Sequence, residues 1–243
     1  MSSNCRLESI SVGQIKVKPF SNIEHVLSQI FSENRVVPGI AIAINPEKVL
    51  TCENDIQARN SVLNATIPYA DGIGVVKVLE RKTGQKLARI AGVDLWQAVM
   101  KQAGLEQSRV FLIGSTDETL VKCRNKLQQR YQVNVVGSES GYFSDYEALI
   151  ANIKATKPDI ITIAMGSPKQ ELLIEKLKSS GISAFYMGVG GTYDVFVGKV
   201  KRAPKVWRLW HLEWLYRLLR QPTRIKRQFK LLNFFFRYLK NDL

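Results

Sequence analysis

The stretch PDIITIAMGSPKQELLIEKLKSSG (158–181) decides the fold class. Its first part, residues 158–167, is a run of apolar and β-branched residues that ends in Gly and Ser, which predicts a buried strand. Its second part, residues 168–181, predicts a helix, with Pro168 in the first turn. A strand followed by a short loop and a helix is typical of the βα unit of a parallel sheet.

The same alternation continues outward in both directions along the chain. Further buried strands are predicted at VPGIAIAIN (37–45), RVFLIGS (109–115), VNVVGS (133–138) and AFYMGVGG (184–191). The charged stretch 116–131 predicts a helix between two of them. We therefore expect an α/β fold with a Rossmann-like, mostly parallel sheet flanked by helices. Ligands of such sheets bind at the carboxyl ends of the strands, so the loops there are candidate sites.

Composition narrows the class of protein. The chain has 243 residues and three widely spaced cysteines without a CxxC pair, which indicates neither a disulfide framework nor a zinc site and favours a reducing compartment. The N-terminus lacks the apolar core of a signal peptide, and no stretch reaches the roughly 18–20 apolar residues of a membrane span. No Asp-x-Asp motif occurs, so we predict neither a metal site nor a cofactor.

The C-terminal part of the chain carries most of the charge. Residues 199–243 contain 13 Lys and Arg against two acidic residues, which gives +11 of the total +14. We expect an α/β domain over residues 1–195 and a basic amphipathic helical appendage over residues 196–243. Its predicted apolar face holds Ile225, Phe229, Leu232, Phe236 and Leu239, and its basic row holds Arg220, Arg224, Arg227, Lys230, Arg237 and Lys240.

Three interpretations of this appendage remain open on the pattern alone. It could dock on an anionic membrane surface, bind nucleic acid through phosphates, or pack on the domain with a solvated basic face. The run Phe234–Phe236 favours an apolar medium, so we expect a membrane partner and no nucleic acid. Self-association into a homo-oligomer through the apolar surface is a further expectation.

The stretch YADGIGVV (69–76) places one carboxylate, Asp71, in a glycine-flanked loop. Glycines would let a substrate approach the backbone, and Asp71 could accept a proton from an attacking hydroxyl. The alternative is a simple turn, because Asp-Gly is a common turn dipeptide.

Two glycine-containing loops are candidates for anion binding. In AMGSPKQE (164–171), a helix N-terminus with Lys169 and Gln170 could hold an anion, or Ser167 could merely cap an ordinary helix. In GVGGTYDVFVGKVKRAP (188–204), Gly190 and Gly191 could offer backbone N–H groups to a diphosphate, or the glycines could form a tight packing turn. That stretch is not a GxGxxG dinucleotide fingerprint, which weighs against a redox enzyme.

Taken together, these stretches resemble the WecG/TagA/CpsF family of bacterial glycosyltransferases. The resemblance covers roughly residues 40–230. The matching motifs are INPEKV (44–49), YADGIGVV (69–76), RIAGVDLW (89–96), FLIGS (111–115), GYF (141–143), AMGSPKQE (164–171), GVGGTYDVFVGKVKRAP (188–204) and LEWLYRLLRQPTRIKR (212–227).

The resemblance implies specific roles for residues of this chain. Asp71 would be the catalytic base, Asn45 and Gln170 would line the donor pocket, and Arg89 would lie near it. Three arginines of the appendage would reach the diphosphate as the tail closes over the site, and these are Arg217, Arg224 and Arg227. Teichoic-acid members have Thr-Pro-Asn where this chain has Ala43-Ile44-Asn45, which fits a different donor sugar.

The resemblance also implies the reaction and the place where it occurs. It looks closest to members that build enterobacterial common antigen, which implies inverting, metal-independent transfer of N-acetyl-D-mannosaminuronic acid from UDP onto N-acetylglucosaminyl-diphospho-undecaprenol. The enzyme would be cytoplasmic and peripheral, on the inner face of the bacterial cytoplasmic membrane. The alternative is an N-acetylmannosamine donor with the same type of lipid acceptor. Because the uronic acid carries a carboxylate, its site should hold an additional cation, and Arg89 and Lys169 are the candidates.

Overall fold

The computed structural model describes residues 7–210, 212–220 and 225–243, without the side chains of Arg217 and of residues 225–230. The strands of this part are β1 (Ile10–Val12), β2 (Ile15–Val17), β3 (Phe31–Ser32), β4 (Arg35–Val36), β5 (Gly39–Ile44), β6 (Ile67–Ala70), β7 (Arg109–Gly114), β8 (Asn134–Glu139), β9 (Ile160–Ala164) and β10 (Phe185–Gly188). Its helices are α1 (Ile23–Ile30), α2 (Pro46–Asn54), α3 (Ile56–Leu63), α4 (Ile73–Thr83), α5 (Gly92–Leu105), α6 (Asp117–Tyr131), α7 (Tyr146–Thr156), α8 (Lys169–Ser179), α9 (Thr192–Val197), α10 (Lys205–Leu209), α11 (Glu213–Arg220) and α12 (Ile225–Leu239).

A six-stranded parallel sheet lies at the centre of the fold, in the order β6-β5-β10-β9-β7-β8. The predicted α/β class with a mostly parallel sheet is therefore confirmed, and the five predicted strands are β5, β7, β8, β9 and β10. The sequence did not predict the edge strand β6. Two short antiparallel pairs, β1–β2 and β3–β4, lie outside the sheet.

Apolar side chains cover both faces of the sheet, because successive residues of a strand point to opposite sides. In β5, Ile40, Ile42 and Ile44 belong to one buried cluster, and Ala41 belongs to the other. This arrangement explains why the strands read as continuous apolar runs in the sequence.

The predicted helices after β7 and β9 are confirmed as α6 and α8. The Thr116 hydroxyl caps α6 by accepting from the backbone N–H of Thr119. The sequence left open whether Ser167 merely caps α8, and the structure does not support that alternative: Pro168 occupies the N-cap position and makes no side-chain cap hydrogen bond. The N-terminus of α8 therefore keeps its first N–H groups uncapped by Ser167.

The last helix, α12, has two different apolar sides. One side packs against the body: Phe234 is buried in a core cluster, Arg237 pairs with Glu53 of α2, and Arg81 lies 3.6 Å above the ring of Tyr238. Arg237, which the sequence places in the basic row, therefore contacts the body. The other side is an apolar stripe whose members are 53–59% exposed, and these are Leu232, Phe235, Phe236 and Leu239.

Replacement of Phe234 by Ala should destabilise the protein by about 3–5 kcal/mol, because it removes a buried aromatic ring from the core. Phe235→Ala is the matched control, since this neighbouring ring is 53% exposed and its loss should change the free energy of unfolding by less than about 0.5 kcal/mol. Urea unfolding of both variants measures the difference. Equal losses would contradict the packing of α12 on the body.

Candidate active site at the carboxyl edge of the sheet

The predicted site residues of the body lie at one edge of the sheet. Asp71 follows β6, Asn45 follows β5, Gly190 and Gly191 follow β10, and Lys169 and Gln170 follow β9. These four strands are neighbours in the sheet, and the carboxyl ends of parallel strands meet at the same edge. The fold thus gathers residues that are up to 146 positions apart in sequence, from Asn45 to Gly191.

Asp71 joins β6 to α4, and its backbone N–H donates to the carbonyl of Ile44 at 2.9 Å. The next residue, Gly72, has no room for a side chain, because a Cβ there would lie 2.5 Å from Cδ of Pro46. A Cβ on Gly74 would lie 3.1 Å from both Pro46 and the ring of Phe234. The expectation that these glycines open the backbone to substrate is therefore wrong. They make room for α2 and α12.

A chain of alternating charges runs from Asp71 to the C-terminal helices. The Nε atom of Arg89 lies 3.8 Å from Oδ1 of Asp71, and Nη2 of Arg89 donates to Oε2 of Glu213 at 3.0 Å. The Nε atom of Arg202 lies 3.8 Å from Oε1 of Glu213. Arg202 also donates twice to Asp94, at 2.5 and 2.7 Å, and these bonds raise the pKa of its guanidinium although burial opposes the rise. The middle of the chain is shielded from water, since the Arg89 and Glu213 side chains are only 15% and 7% exposed, whereas the carboxylates at its two ends are 31% and 40% exposed.

Local backbone contacts explain why Arg89 lies beside Asp71. The backbone N–H of the next residue, Ile90, donates to the carbonyl of Ala70 at 2.9 Å, which ties this segment to the end of β6. Helix α5 then begins at Gly92, and a Cβ placed on that glycine would lie 3.8 Å from Oδ2 of Asp71. The carboxylate of Asp71 thus lies near a helix N-terminus, where negative charge is favoured.

Several buried donors around Asp71 lack hydrogen-bond partners within the described ranges. They are the Tyr69 hydroxyl and the Nε atoms of Arg89 and Arg202. Burial, above all, and the charges of Asp71 and Glu171 raise the pKa of Tyr69 well above its usual value, so its hydroxyl keeps its proton. Buried donors without partners are costly, and an oxygen-rich ligand would satisfy them.

Gln170 and Asn45 hold other parts of the same edge in place. The Gln170 side chain accepts from the N–H of Gly190 at 3.0 Å and donates to Glu171 at 3.1 Å. The Asn45 side chain caps α2 by accepting from the N–H of Lys48 at 2.9 Å. Both side chains therefore have structural partners in this conformation, and their contacts to a donor stay a prediction.

A buried ion pair between Lys48 and Glu171 lies next to Gln170. The Lys48 ammonium lies 2.6 Å from Oε1 of Glu171, and the Glu171 side chain is only 2% exposed. Burial by itself would raise the pKa of Glu171, but the charge of Lys48 and its hydrogen bond outweigh burial and hold that pKa below its usual value. Glu171 is therefore ionised at neutral pH, and it keeps Gln170 oriented toward the glycine loop.

Open backbone occurs at the glycines after β9 and β10. A Cβ on Gly166, Gly190 or Gly191 would meet no atom within 4 Å. Gly190 has a φ of +52° and Gly166 a φ of +76°, which side-chain-bearing residues rarely adopt. Lys169 is exposed beside them. These loops can receive an anionic group, although the N–H of Gly190 already donates to Gln170.

The predicted contacts of the appendage arginines lie outside the described part of the chain. Arg224 belongs to the undescribed residues, and Arg217 and Arg227 are described in backbone only. Within the described residues, no cluster of three or more His, Cys, Asp or Glu could hold a metal ion. None of the described helices is both long enough and apolar enough to cross a membrane.

Sequence reasoning missed two members of the charge chain, Asp94 and Glu213. One signal was present for Glu213, because it is one of only two acidic residues in the basic segment 199–243. An isolated acidic residue among 13 cations is a candidate for an ion pair, and Glu213 pairs with Arg89 of the body. Asp94 had no comparable local signal.

The α/β fold thus has a candidate site at its carboxyl edge, where Asp71 and Arg89 lie at the same edge as the open glycine loops. The model of the glycosyl transferase WecG/TagA/CpsF family matches residues 10–243 of the chain. The protein therefore belongs to this glycosyltransferase family, as the resemblance of its motifs indicated.

Replacement of Lys48 by Met should cost about 3–5 kcal/mol of stability at pH 7, because it leaves Glu171 buried without its partner. Lys122→Met is the matched control, since Lys122 makes an exposed i,i+4 pair with Glu118 that is worth about 0.5 kcal/mol. Urea unfolding at several pH values measures both losses.

The Lys48 effect should also depend on pH. The folded-state pKa of Glu171 is lowered, so its ion pair stabilises the fold above the unfolded pKa of about 4.3 and loses this effect as pH falls through the lower folded value. The difference between wild type and Lys48→Met should shrink over that acid range. A pH-independent difference would contradict the buried ion pair as its cause.

Proposed function

We propose that this protein is an inverting transferase that moves N-acetyl-D-mannosaminuronic acid from its UDP donor onto N-acetylglucosaminyl-diphospho-undecaprenol in enterobacterial common antigen biosynthesis. The observation that carries the proposal is the placement of Asp71, a single carboxylate beside Arg89 at the carboxyl edge of a family glycosyltransferase fold. The alternative keeps the acceptor type and takes N-acetylmannosamine as the transferred sugar. The identity of the donor rests on the resemblance of the motifs.

Asp71 acts as the base in this proposal. Its side chain is 31% exposed, so an acceptor hydroxyl can reach it. Asp71 takes the proton of that hydroxyl as the oxygen attacks the anomeric carbon, and the bond from that carbon to the UDP oxygen breaks on the opposite face. One such displacement inverts the configuration. Proton transfer of this kind contributes about 10²–10⁴-fold to the rate.

The departing UDP gains negative charge, and fixed donors must stabilise it. The open loop at Gly190 and Gly191 and the N-terminus of α8 with Lys169 are the described groups suited to this task. The resemblance adds the appendage arginines Arg217, Arg224 and Arg227. Positive side chains and backbone amides of this kind replace a metal ion in the proposal.

The charge balance of the site indicates which cation would bind the carboxylate of the donor sugar. The charge chain contains three carboxylates, those of Asp71, Asp94 and Glu213, against two arginines. Arg89 already faces the carboxylates of Asp71 and Glu213, and their negative charges would repel a third carboxylate. The exposed Lys169 is therefore the better partner for the carboxylate of the uronic acid.

The apolar stripe of α12 suits an enzyme whose acceptor stays in a bilayer. Exposed apolar side chains continue on α10 and α11 and beside them, and these are Val206, Leu209, Trp210, Trp214 and Leu219. Exposed Lys205, Arg220 and Lys240 lie among them in sequence. Apolar and aromatic side chains with basic neighbours favour the interface of an anionic membrane. We propose peripheral docking on the inner face of the cytoplasmic membrane through residues 196–243.

Nucleic-acid binding and a second copy of the chain are the competing uses of this surface. Phosphate contacts need a continuous cationic surface, whereas the outward side of α12 is apolar at four positions. This observation favours lipid over nucleic acid. A second copy would cover the stripe and compete with the membrane.

Replacement of Asp71 by Asn should lower kcat by at least about 10²-fold, because the amide cannot accept the proton. The assay supplies UDP-N-acetylmannosaminuronic acid, a short-chain prenyl-diphospho-N-acetylglucosamine and a chelator. The control is Asp145→Asn, which makes the same chemical change at the N-cap of α7, 74 positions from Asp71 in sequence, and should retain activity. Full activity of Asp71→Asn would remove its role as base. Product only with the N-acetylmannosamine donor would establish the alternative.

Replacement of both Phe235 and Phe236 by Ser should weaken binding to phosphatidylglycerol vesicles by at least about tenfold, since a buried Phe side chain contributes about 1.5–3 kcal/mol. Leu105→Ser is the matched control, because Leu105 is 71% exposed on the body at the end of α5. Vesicle co-sedimentation measures binding, and light scattering measures self-association. Unchanged vesicle binding with a loss of oligomers would assign the stripe to a second copy.

A further inference from the structure

The side-chain amide of Gln170 lies across the carboxyl end of β10 and is held at both ends. Its Oε1 atom accepts from the backbone N–H of Gly190 at 3.0 Å, and its Nε2 atom donates to Oε1 of Glu171 at 3.1 Å. A backbone N–H can only donate and an ionised carboxylate can only accept, so the two partners allow one orientation of the amide. The amide also packs closely on β10, because a Cβ on Gly188 would lie 2.6 Å from Nε2.

Lys48 extends this contact into a network that joins three strand ends. Its ammonium donates to the same Oε1 atom of Glu171 at 2.6 Å, and its backbone N–H donates to the side chain of Asn45 at 2.9 Å. The network therefore runs from Asn45, after β5, through α2 and α8 to the loop after β10. Asn45 and Gln170 are the residues that the motif resemblance places in the donor pocket, whereas Lys48 and Glu171 have no role there.

The charges of the ion pair do something that apolar packing could not do. Apolar side chains of similar volume often stabilise a buried place as well as an ion pair does, so packing alone does not require Lys48 and Glu171. An apolar side chain at position 171, however, could not accept from Gln170, and a neutral amide there could either accept or donate. The amide of Gln170 would then be free to turn over and lose its hydrogen bond with Gly190, whose φ is +52°.

We propose that Glu171 and Lys48 are positioning residues for the donor, which act by fixing the amide of Gln170 and, through it, the loop at Gly190. The inference deepens the proposed function and rests on it, because that function assigns the open loop at Gly190 and Gly191 to the diphosphate of the UDP donor. In this role neither charged side chain touches the donor. The ion pair sets the direction of the hydrogen bonds, so the loop meets the diphosphate already ordered, and the cost of ordering it on binding is avoided.

The double variant Lys48→Met/Glu171→Gln tests the inference, because it removes both charges together and leaves neither buried without its partner. Isothermal titration calorimetry measures the Kd of UDP, which should rise about tenfold, as the loss of one ordinary hydrogen bond would cause. The KM of the donor should rise to a similar extent, while kcat should change less than about threefold, since the proposed base is not altered. A fall in kcat with the Kd of UDP unchanged would overturn the inference.

Three comparisons separate positioning from a general loss of stability. Glu171→Gln alone should raise the Kd of UDP to the same extent, so the test does not depend on the folding of one variant. Glu53→Gln is the matched control, because it makes the same chemical change at the other ion pair of α2, and Arg237 keeps Asp242 as a second partner. An equal loss of UDP affinity in this control would overturn the inference. In a Gln170→Ala background, the double variant should cause no further loss, because its effect passes through Gln170, and additive losses would overturn the inference.

A measurement without any ligand addresses the positioning directly. Since Gln170 accepts from the N–H of Gly190, that N–H should exchange its hydrogen at least about tenfold faster in the double variant than in wild type. Equal exchange rates would overturn the inference. Failure of the wild type to bind UDP would refute the proposed function and this inference with it, whereas equal UDP binding by wild type and double variant would overturn only this inference.

Discussion

All six strands of the central sheet run in the same direction, and the position of the candidate site follows from this constraint. Parallel strands end at one edge, so the loops after β5, β6, β9 and β10 become neighbours although they lie far apart in sequence. The backbone groups at that edge need partners. Side chains supply them, as when Asn45 caps α2 and Gln170 accepts from Gly190. Several polar side chains at this edge therefore make hydrogen bonds that stabilise the loops themselves.

The charge chain also follows from the gathering of polar residues at the partly buried carboxyl edge of the sheet. Its members alternate in sign from Asp71 to Asp94, so each charge faces an opposite one. Buried ion pairs are weak evidence for stability, because the cost of removing charges from water offsets their attraction. The chain links the carboxylate of the proposed base to the C-terminal helices through Glu213, so these helices and the candidate site share one electrostatic network.

The sequence predicted those parts of the fold that local patterns determine. Continuous apolar runs identified β5, β7, β9 and β10, whereas β6 is only four residues long and contains Pro68, so it lacks a readable pattern. The motif resemblance identified Asp71, yet the role of its flanking glycines was wrong, because Pro46 and Phe234 fill the space beside them. The Arg89–Glu213 contact spans 124 positions, and no local spacing could predict it.

The two sides of α12 place the proposed membrane surface close to the base. Phe234 lies against Gly74, three residues after Asp71, while Phe235 and Phe236 point outward from the same turn of helix. An α-helix with its side chains is about 10–12 Å across. A bilayer in contact with the outward stripe would therefore lie about one helix diameter from the start of α4. In the proposed reaction, an acceptor whose prenyl chain stays in that bilayer would have to present its sugar about one helix diameter beyond the bilayer surface to meet Asp71.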